Sequence, residues 1–140
     1  MSTSLSIRFD AQLTERLRLR TQATPGTSLS VLAQRLIEEG LRMADHPGVV
    51  FKDGPSGRRA ALAFGPDVWE VIKLLRELDE RGKPAVAAAA ELLTFSEARV
   101  WVAMQYYAAY PEEIDSKIEE ADHVSAEAKR AWDIGRQTRA

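Results

Sequence analysis

The sequence predicts a mainly α-helical protein with short strands: an N-terminal strand and two helices, then a small α-helical domain with a β-hairpin. Three observations lead to this fold class. Residues 4–9 alternate polar and apolar side chains, apolar residues recur every three to four positions along several later segments, and Gly and Pro clusters separate those segments. With 45% hydrophobic residues among 140, the chain is able to bury a core.

The first 45 residues contain the strand and the first two helices. Residues 4–9 alternate as a half-buried strand does, and Asp10 is a good N-cap for a helix over residues 11–21. A turn that contains Pro and Gly follows, and Ser28 caps a second helix with an apolar stripe along one face. We therefore expect a strand–helix–helix unit over this part of the chain.

Residues 46–115 form a second domain in this interpretation. Two short runs at 49–51 and 59–63 flank a loop rich in Gly and Pro, which predicts a β-hairpin. Beyond the hairpin, Pro66 is expected at the first position of a helix that Gly82 ends.

Two further helices and a tail complete the chain. The Ala-rich stretch at 84–93 predicts one helix, and Thr94 and Glu97 are spaced as a capping box for the next, which Pro111 stops. Residues 116–140 are expected to form a polar, partly helical C-terminal tail.

Composition excludes several classes of function. The chain has no cysteine, which excludes disulfides, Cys-ligated zinc and a thiol nucleophile, and which is typical of a reducing cytoplasm. His46 and His123 lie far apart, and no Gly-rich phosphate loop or nucleophile-and-base set occurs, so we expect no enzyme activity, no cofactor and no metal. No apolar run approaches the roughly 20 residues that span a bilayer. Arg8 stands where a signal peptide needs an apolar stretch, so neither export nor a membrane partner is expected.

Charge differs between the segments of the chain. Residues 1–45 contain six arginines against five acids, whereas residues 46–115 contain eight basic and eleven acidic residues. A mildly positive N-terminal part beside an acidic middle suits a nucleic-acid module joined to a second function. Arginines outnumber lysines 14 to 5, which together with the abundant alanine indicates a GC-rich bacterial genome. We expect a cytoplasmic, nucleoid-associated bacterial protein.

The strand and its two helices pose a packing problem. So short a unit rarely buries its apolar residues alone, and a single strand leaves both of its edges unpaired. Pairing with the same strand of a second copy solves both difficulties, because it makes an antiparallel ribbon over one shared helical core. The residues predicted to form this dimer core are Leu5, Ile7, Phe9, Leu13, Leu17, Leu32 and Leu36.

The same alternation turns Ser4, Ser6 and Arg8 outward. A two-stranded ribbon fits the major groove of double-stranded DNA, where Arg grips guanine through two hydrogen bonds and Ser donates or accepts one. The start of the second helix offers free N–H groups to a phosphate. The expected phosphate-binding residues are Thr27, Ser28, Leu29 and Ser30. The alternative is that the outward side chains form the solvated face of an edge strand and that the two serines are plain helix caps.

Two motifs occur in the right order, together with two predicted helices of suitable length. They are the strand Ser-Leu-Ser-Ile-Arg-Phe-Asp at 4–10 and the loop Gly-Thr-Ser-Leu-Ser at 26–30. Through them, residues 3–43 resemble the CopG/Arc/MetJ ribbon-helix-helix family. The resemblance implies an intertwined homodimer that reads an operator with Ser4, Ser6 and Arg8. Because only one charged residue per chain faces the bases, we expect cooperative binding or tandem sites, with higher oligomers on DNA.

Three further motifs occur in the middle segment: His-Pro-Gly-Val at 46–49, Gly-Pro-Ser-Gly-Arg-Arg at 54–59, and Tyr-Tyr-x-x-Tyr-Pro-Glu-Glu-Ile at 106–114. With them the segment is similar to the small helix-turn-helix domain of VapB-type antitoxins, although that family's Gly-Thr-Arg-Ile-Pro-Val stretch reads Gly-Arg-Arg-Ala-Ala-Leu here. The resemblance implies a helix-turn-helix from helices at about 84–93 and 96–110. The surplus of acids leaves two alternatives open: local DNA contacts by Arg58, Arg59 and Arg99, or a domain that binds protein or braces the dimer.

The C-terminal part carries isolated apolar residues in polar surroundings. Ile114, Ile118, Trp132 and Ile134 are candidate partner-binding residues, and the alternative is a frayed or self-packed helix. In ribbon-helix-helix antitoxins such C-terminal parts wrap a toxin while the dimer represses its own promoter. The leading hypothesis is therefore a sequence-specific repressor that is the antitoxin of a type II toxin–antitoxin pair. A stand-alone regulator without a toxin and an adaptor that binds only proteins are the alternatives.

Overall fold

The computed structural model describes residues 2–55 and 57–139. The chain divides into unit 1, Met1–Ala44, and unit 2, Asp45–Ala140. Among the described residues the protein is mainly helical with one two-stranded antiparallel sheet, which confirms the predicted fold class at this level. The helices are α1 (Ala11–Gln22), α2 (Leu29–Asp45), α3 (Val68–Glu77), α4 (Lys83–Leu93), α5 (Glu97–Ala109) and α6 (Pro111–Thr138), and the strands are β1 (Val49–Lys52) and β2 (Arg59–Leu62).

The two helices of unit 1 begin at the predicted caps. The Asp10 carboxylate accepts a hydrogen bond from the Leu13 N–H at 2.8 Å, and the Ser28 hydroxyl accepts one from the Val31 N–H at 3.2 Å. Each cap satisfies one of the donors that a helix N-terminus leaves unpaired. Between the helices, Gly26 has a φ of +77°, a left-handed conformation that glycine adopts without the steric penalty of a side chain.

The segment before α1 has no regular structure within the single chain. Residues 2–10 form neither a helix nor a strand, so the strand predicted at 4–9 is not made inside one protomer. A strand exists only where a neighbouring strand accepts and donates its backbone hydrogen bonds. That neighbour is expected from a second copy, so the ribbon stays a prediction.

Unit 2 opens with the β-hairpin that the sequence predicted. β1 and β2 pair antiparallel, with Val49 opposite Leu62 and Lys52 opposite Arg59. Val49 and Leu62 are buried and belong to the core of this unit, so the hairpin forms one wall of that core. Ser56, in the connecting loop, lies outside the described residues.

Helix α3 differs from the prediction at both of its ends. Asp67 rather than Pro66 precedes the first helical residue, and its N–H donates to the Glu70 carboxylate at 3.2 Å. The helix ends before Leu78, whose backbone is extended and whose side chain packs against the core. Gly82 therefore does not end α3; with a φ of +63° it is the N-cap of α4.

A short turn joins α4 to α5 and corrects the predicted capping box. Thr94 has a left-handed backbone, with a φ of +57°, and its N–H bonds back to the last turn of α4. An N-cap residue instead needs an extended backbone. Ser96 has one, and its hydroxyl accepts a hydrogen bond from the Arg99 N–H at 3.4 Å. Thr94 thus ends one helix, and Ser96 begins the next.

The C-terminal segment is one continuous helix, α6, which crosses the predicted boundary after residue 115. Its first turns pack on α3 and α5, and Ile114 and Ile118 are only 2% and 5% exposed there. These two residues do not face a partner, which corrects that part of the prediction. Burial of an isoleucine side chain stabilises a fold by roughly 1.5–3 kcal/mol, so this packing fixes the start of α6 on its own unit. Among the described residues no helix combines the length and hydropathy needed to cross a membrane.

The core of unit 2 lies between the hairpin and the four helices. Tyr106 on α5 is fully buried at its centre, and its hydroxyl donates to the Glu113 carboxylate at 2.7 Å. The other buried residues of the cluster are Val49, Ala60, Leu62, Val68, Val71, Ile72, Val86, Ala89, Ala90, Val100, Ala103, Ile114 and Ile118. Trp69 and Tyr107 pack against this cluster from its edge.

A polar contact at the surface of unit 2 joins three helices. Arg76 on α3 pairs with the Asp115 carboxylate at 2.5 Å and donates to the Tyr107 hydroxyl at 2.8 Å. That hydroxyl donates to the same carboxylate at 2.9 Å. The hydrogen bond from Arg76, and then that from Tyr107, lower the pKa of Asp115 below its ordinary value of 3.8.

We expect Asp115→Asn to be less stable than the wild type at neutral pH. A carboxyl whose pKa is lower in the folded state stabilises the fold above its unfolded-state pKa, and this contribution disappears as pH falls through the folded-state pKa. Thermal unfolding from neutral pH to below 3.8 should therefore show the two proteins converging. The difference is small because both side chains of the ion pair are partly exposed. A stability difference that persists unchanged in acid would contradict this account.

Candidate nucleic-acid interface

The residues predicted to read bases lie on the segment before α1. Ser4, Ser6 and Arg8 are all exposed. Within residues 2–55 and 57–139, no ion pair or hydrogen bond is found for the Arg8 guanidinium. Its five N–H donors are therefore free to meet an acceptor outside the protomer.

The apolar residues that alternate with them are also exposed. Leu5 is 79%, Ile7 55% and Phe9 36% exposed, so exposure decreases toward the start of α1. Three large apolar side chains left in water along one short segment form the kind of surface that soluble proteins use for association.

The helical part of the predicted dimer core is only partly covered in one protomer. Leu13 and Leu36 are 43% and 40% exposed, and Leu17 is half-buried. Leu32 is the one buried hydrophobic side chain among residues 2–44. Unit 1 by itself therefore lacks a closed hydrophobic core.

An open apolar groove of about 470 Å³ lies along the exposed face of α1. It has aliphatic walls from both helices of unit 1 and two arginines along α1. The lining residues are Leu13, Arg16, Leu17, Leu19, Arg20, Ala23 and Leu36. Three of them, Leu13, Leu17 and Leu36, belong to the predicted dimer core.

The residues predicted to bind phosphate surround the start of α2. Leu29 and Ser30 occupy its first turn, where backbone N–H groups have no acceptor within the helix. The Ser28 hydroxyl caps this helix, as the alternative interpretation expected, and Thr27 makes a long contact of 3.5 Å with the Ser28 carbonyl. The cap does not use the N–H groups of Leu29 and Ser30, so both interpretations remain compatible with this geometry.

The arginines of unit 2 that the sequence raised as DNA contacts are engaged within their own unit. The pairs are Arg58 with Asp53 at 3.2 Å, Arg59 with Asp67 at 2.5 Å, and Arg99 with the carbonyl of Ala63. Residues already held by their own fold are poorly placed to wrap a phosphate backbone. These contacts, together with the surplus of acids, favour a domain that binds protein or braces the dimer.

Sequence reasoning missed the most exposed large apolar residue among the described ones. Phe64 is fully exposed, with a relative exposure of 102%, and has a φ of +54°. The only local signal was a turn pattern, Phe-Gly-Pro, and neither helical nor strand periodicity assigns a face to such a residue.

The chain matches no protein-family model, no curated protein and no solved structure. Among the described residues, no group of three His, Cys, Asp or Glu side chains is placed to hold a metal ion.

Proposed function

We propose that this chain is a dimeric, sequence-specific DNA-binding repressor and the antitoxin of a type II toxin–antitoxin pair. The observation that carries the proposal is the exposed row in which Leu5, Ile7 and Phe9 alternate with Ser4, Ser6 and Arg8. One set needs a partner surface, and the other set suits the edges of DNA bases. An antiparallel ribbon made from two copies satisfies both at once.

Energetics support association through this segment. Burial of a large aliphatic or aromatic side chain stabilises by roughly 1.5–3 kcal/mol, and two copies bring six such side chains to the ribbon. The ribbon would cover the apolar groove beside α1 and complete a core that unit 1 lacks. Folding of unit 1 would then be coupled to dimerisation, as in other obligate dimers.

The outward side chains Ser4, Ser6 and Arg8 form the reading face of the ribbon. They would determine both which bases are recognised and how tightly one dimer binds. Two Arg8 guanidinium groups and four serine hydroxyls would lie in the major groove, each Arg gripping a guanine and each Ser donating or accepting a hydrogen bond. The start of α2 would fix the ribbon against the DNA backbone through the N–H groups of Leu29 and Ser30. With so few charged contacts, one dimer binds modestly, and several dimers on tandem sites bind well.

The DNA-binding proposal is tested by titrating the full chain, at low salt, against duplex DNA from the region upstream of its own gene. A scrambled duplex of equal length is the control, because phosphate contacts alone bind both sequences. Preference for the upstream sequence that survives added salt supports a repressor. Equal affinity for the two duplexes, or no binding at low salt, would remove DNA reading from this protein.

Arg8→Ala should weaken binding to the specific site by about 1–3 kcal/mol and leave the dimer folded. The matched control is Arg18→Ala, which removes the same charge from α1, where Arg18 pairs with Glu15 at 2.6 Å. Fluorescence anisotropy with the specific and scrambled duplexes measures both variants. Unchanged affinity in Arg8→Ala, or an equal loss in the two variants, would contradict the outward assignment of Arg8.

The toxin-binding part of the proposal depends on the far half of α6. Trp132 and Ile134 are 67% and 63% exposed there, and the helix around them is polar. Exposed aromatic and aliphatic side chains on such a helix are suited to an apolar groove on a partner protein. Co-purification with the product of an adjacent gene, lost in a Trp132→Ala, Ile134→Ala double variant, is the expected result.

A stand-alone regulator is the second candidate, and one observation favours it. Ile114 and Ile118, two of the four residues predicted to hold a partner, are buried in the core of unit 2. A toxin would therefore have a smaller apolar surface to bind than the sequence suggested. If the chain binds its operator but does not co-purify with the product of an adjacent gene, the stand-alone regulator is the better proposal.

A further inference from the structure

Unit 2 carries an apolar groove between α3 and α5 in which both charged lining residues are arginines. We call it the α3–α5 groove. Its volume is about 440 Å³, and its lining residues are Ile72, Leu75, Arg76, Arg81, Met104 and Tyr107. Among the described residues no acid lines it. Small-molecule sites in proteins have volumes of roughly 300–1,000 Å³, and they combine apolar walls with a few polar groups.

The walls of the groove follow from helical spacing. Ile72 and Leu75 lie on one face of α3, three residues apart, and Met104 and Tyr107 have the same spacing on α5. Ile72 belongs to the buried core, whereas the other three pack against that core and are only half-buried. Their outer surfaces therefore remain in water, and an apolar group that lies on them gains from its burial.

Arg81 is the lining residue whose charge is not balanced. Its Nη1 donates to three successive backbone carbonyls, those of residues 78–80, at 2.5–3.3 Å. Within residues 2–55 and 57–139, Arg81 is in no ion pair, and its Nε and Nη2 make no hydrogen bond. These two nitrogens form one edge of the guanidinium, spaced for the two oxygens of a carboxylate. The backbone contacts hold the cation in place, which lowers the entropic cost of using it.

Arg76 is already paired inside the unit. Its Nη2 contacts the Asp115 carboxylate at 2.5 Å and the Tyr107 hydroxyl at 2.8 Å, and its guanidinium lies 5.5 Å from the centre of the Tyr107 ring. Asp115 does not line the groove. The groove therefore presents one arginine that an acid neutralises and one, Arg81, that has no acid partner.

We propose that the α3–α5 groove binds a small apolar molecule that carries one carboxylate. The apolar part would lie on Leu75 and Met104, and the carboxylate would accept hydrogen bonds from Nε and Nη2 of Arg81. One unpaired cation matches one anionic group. A protein partner needs a larger surface, because a stable interface covers about 800 Å² on each side.

This site goes beyond the proposed function, because it depends on neither the ribbon nor a toxin. All six lining residues belong to unit 2, which has its own core. A ligand bound there would give a stand-alone regulator a signal to sense.

The first experiment is calorimetric titration of the full chain with octanoate. Octanol has a similar tail without the charge, and acetate has the carboxylate without the tail, so they are the matched probes. Octanoate should bind at least about tenfold more tightly than either one, because each lacks one of the two contacts. Octanoate should also raise the Tm of unit 2. Absent binding of octanoate, or equal binding of octanol or acetate, would overturn the proposal.

The second experiment locates the carboxylate with matched arginine variants. Arg81→Gln should raise the Kd for octanoate about tenfold or more, because a hydrogen-bonded charge is lost. Arg130→Gln removes the same charge from an exposed position on α6 outside the groove, so it should bind as the wild type does. An equal Kd in these two variants would overturn the assignment of the groove.

A second pair of variants tests the groove without touching Arg81, whose backbone contacts shape the segment before α4. Met104→Glu places a carboxylate on the half-buried wall, where it would compete with octanoate for the cation. It should abolish binding, whereas Met104→Leu keeps an apolar wall and should retain it. Octanoate binding that survives Met104→Glu would place the ligand elsewhere.

Asp115→Asn provides a readout that a structural role would not give. The variant removes the acid that neutralises Arg76, so it should bind octanoate roughly twofold to fivefold more tightly although its fold is less stable. Unchanged or weaker binding would contradict recognition of the carboxylate by these arginines.

Two further outcomes separate this proposal from the others. If octanoate does not bind and Arg81→Gln instead loses the product of an adjacent gene, the groove is a protein contact and the proposal is wrong. Failure of the repressor proposal looks different: the chain would ignore the upstream duplex and would still bind octanoate through Arg81.

Discussion

Phe9→Asp should abolish the dimer and unfold unit 1. Phe9 is the least exposed of the three apolar residues before α1, at 36%, and lies beside the Asp10 cap that begins the helix. In the ribbon both copies of this ring would be buried, so the substitution places two unpaired carboxylates in a shared core. Because Leu32 is the one hydrophobic side chain that is buried among residues 2–44, nothing in one protomer compensates for the loss of that core.

Sedimentation and far-UV circular dichroism measure this result together. The variant should sediment as a monomer and lose the helical signal of α1 and α2, while unit 2, with its own core, retains its signal. Ser6→Asp is the matched control, since it introduces the same charge on the outward face of the same segment. It should remain a folded dimer and bind DNA poorly, because its carboxylates face the phosphates. A stable, helical dimer in Phe9→Asp would contradict the strand register.

Ile114→Ala should lower the free energy of unfolding of unit 2 by about 2–5 kcal/mol. Ile114 lies at the start of α6, is 2% exposed and packs within the core cluster, so truncation removes buried area and leaves a cavity. The same substitution at Ile134, on the same helix but 63% exposed, should change stability by no more than about 0.5 kcal/mol. Two identical substitutions on one helix thus separate a core residue from a surface residue.

Urea denaturation monitored by tryptophan fluorescence provides the measurement, with an unchanged dependence on denaturant as the check that both variants unfold in the same way. Similar losses at Ile114 and Ile134 would mean that the far half of α6 is packed, and would leave no exposed surface there for a toxin. A large loss of stability in Ile114→Ala and a small one in Ile134→Ala, the expected result, would show that Ile114 stabilises the fold and would leave Ile134 available to bind a partner.

Elements with a strong local signal could be predicted from the sequence. Helix α1 starts after Asp10 because that carboxylate caps the first turn, and α2 starts after Ser28 for the same reason. The hairpin follows from two short apolar runs around a Gly/Pro loop, and its strands lie where those runs do. Helix caps and the alternation of polar and apolar residues act over a few residues, so they can be recognised in the sequence without knowledge of the rest of the fold.

Helix ends inside unit 2 could not be predicted in the same way. Gly82 and Thr94 both carry signals that suit more than one position, and the packing of neighbouring helices selects one of them. Leu78 leaves the helical conformation and packs against the core, so α3 ends at Glu77, five positions before Gly82. Tertiary contacts outweigh such local preferences, which are worth only about 1 kcal/mol each.

The residues of the candidate site also divide into those that could be predicted from the sequence and those that could not. The alternation of Ser4, Ser6 and Arg8 with apolar residues, and the inability of so short a unit to bury them, are properties of the sequence by itself. The sequence could not show that Ile114 and Ile118 face inward, because their spacing on a polar helix is the same for a core face and a partner face. Nor could it show the exposed ring of Phe64 or the α3–α5 groove.

The sequence alone therefore determined where α1, α2 and the hairpin begin, and which surface of unit 1 is left without a core. Periodicity and capping depend on residues that are close in sequence, so they act in the same way whatever the tertiary fold. Only the tertiary structure decided which apolar residues of unit 2 are covered and which remain exposed. Coverage depends on what lies opposite a side chain, and residues as distant in sequence as Val49 and Ile118 meet in one core.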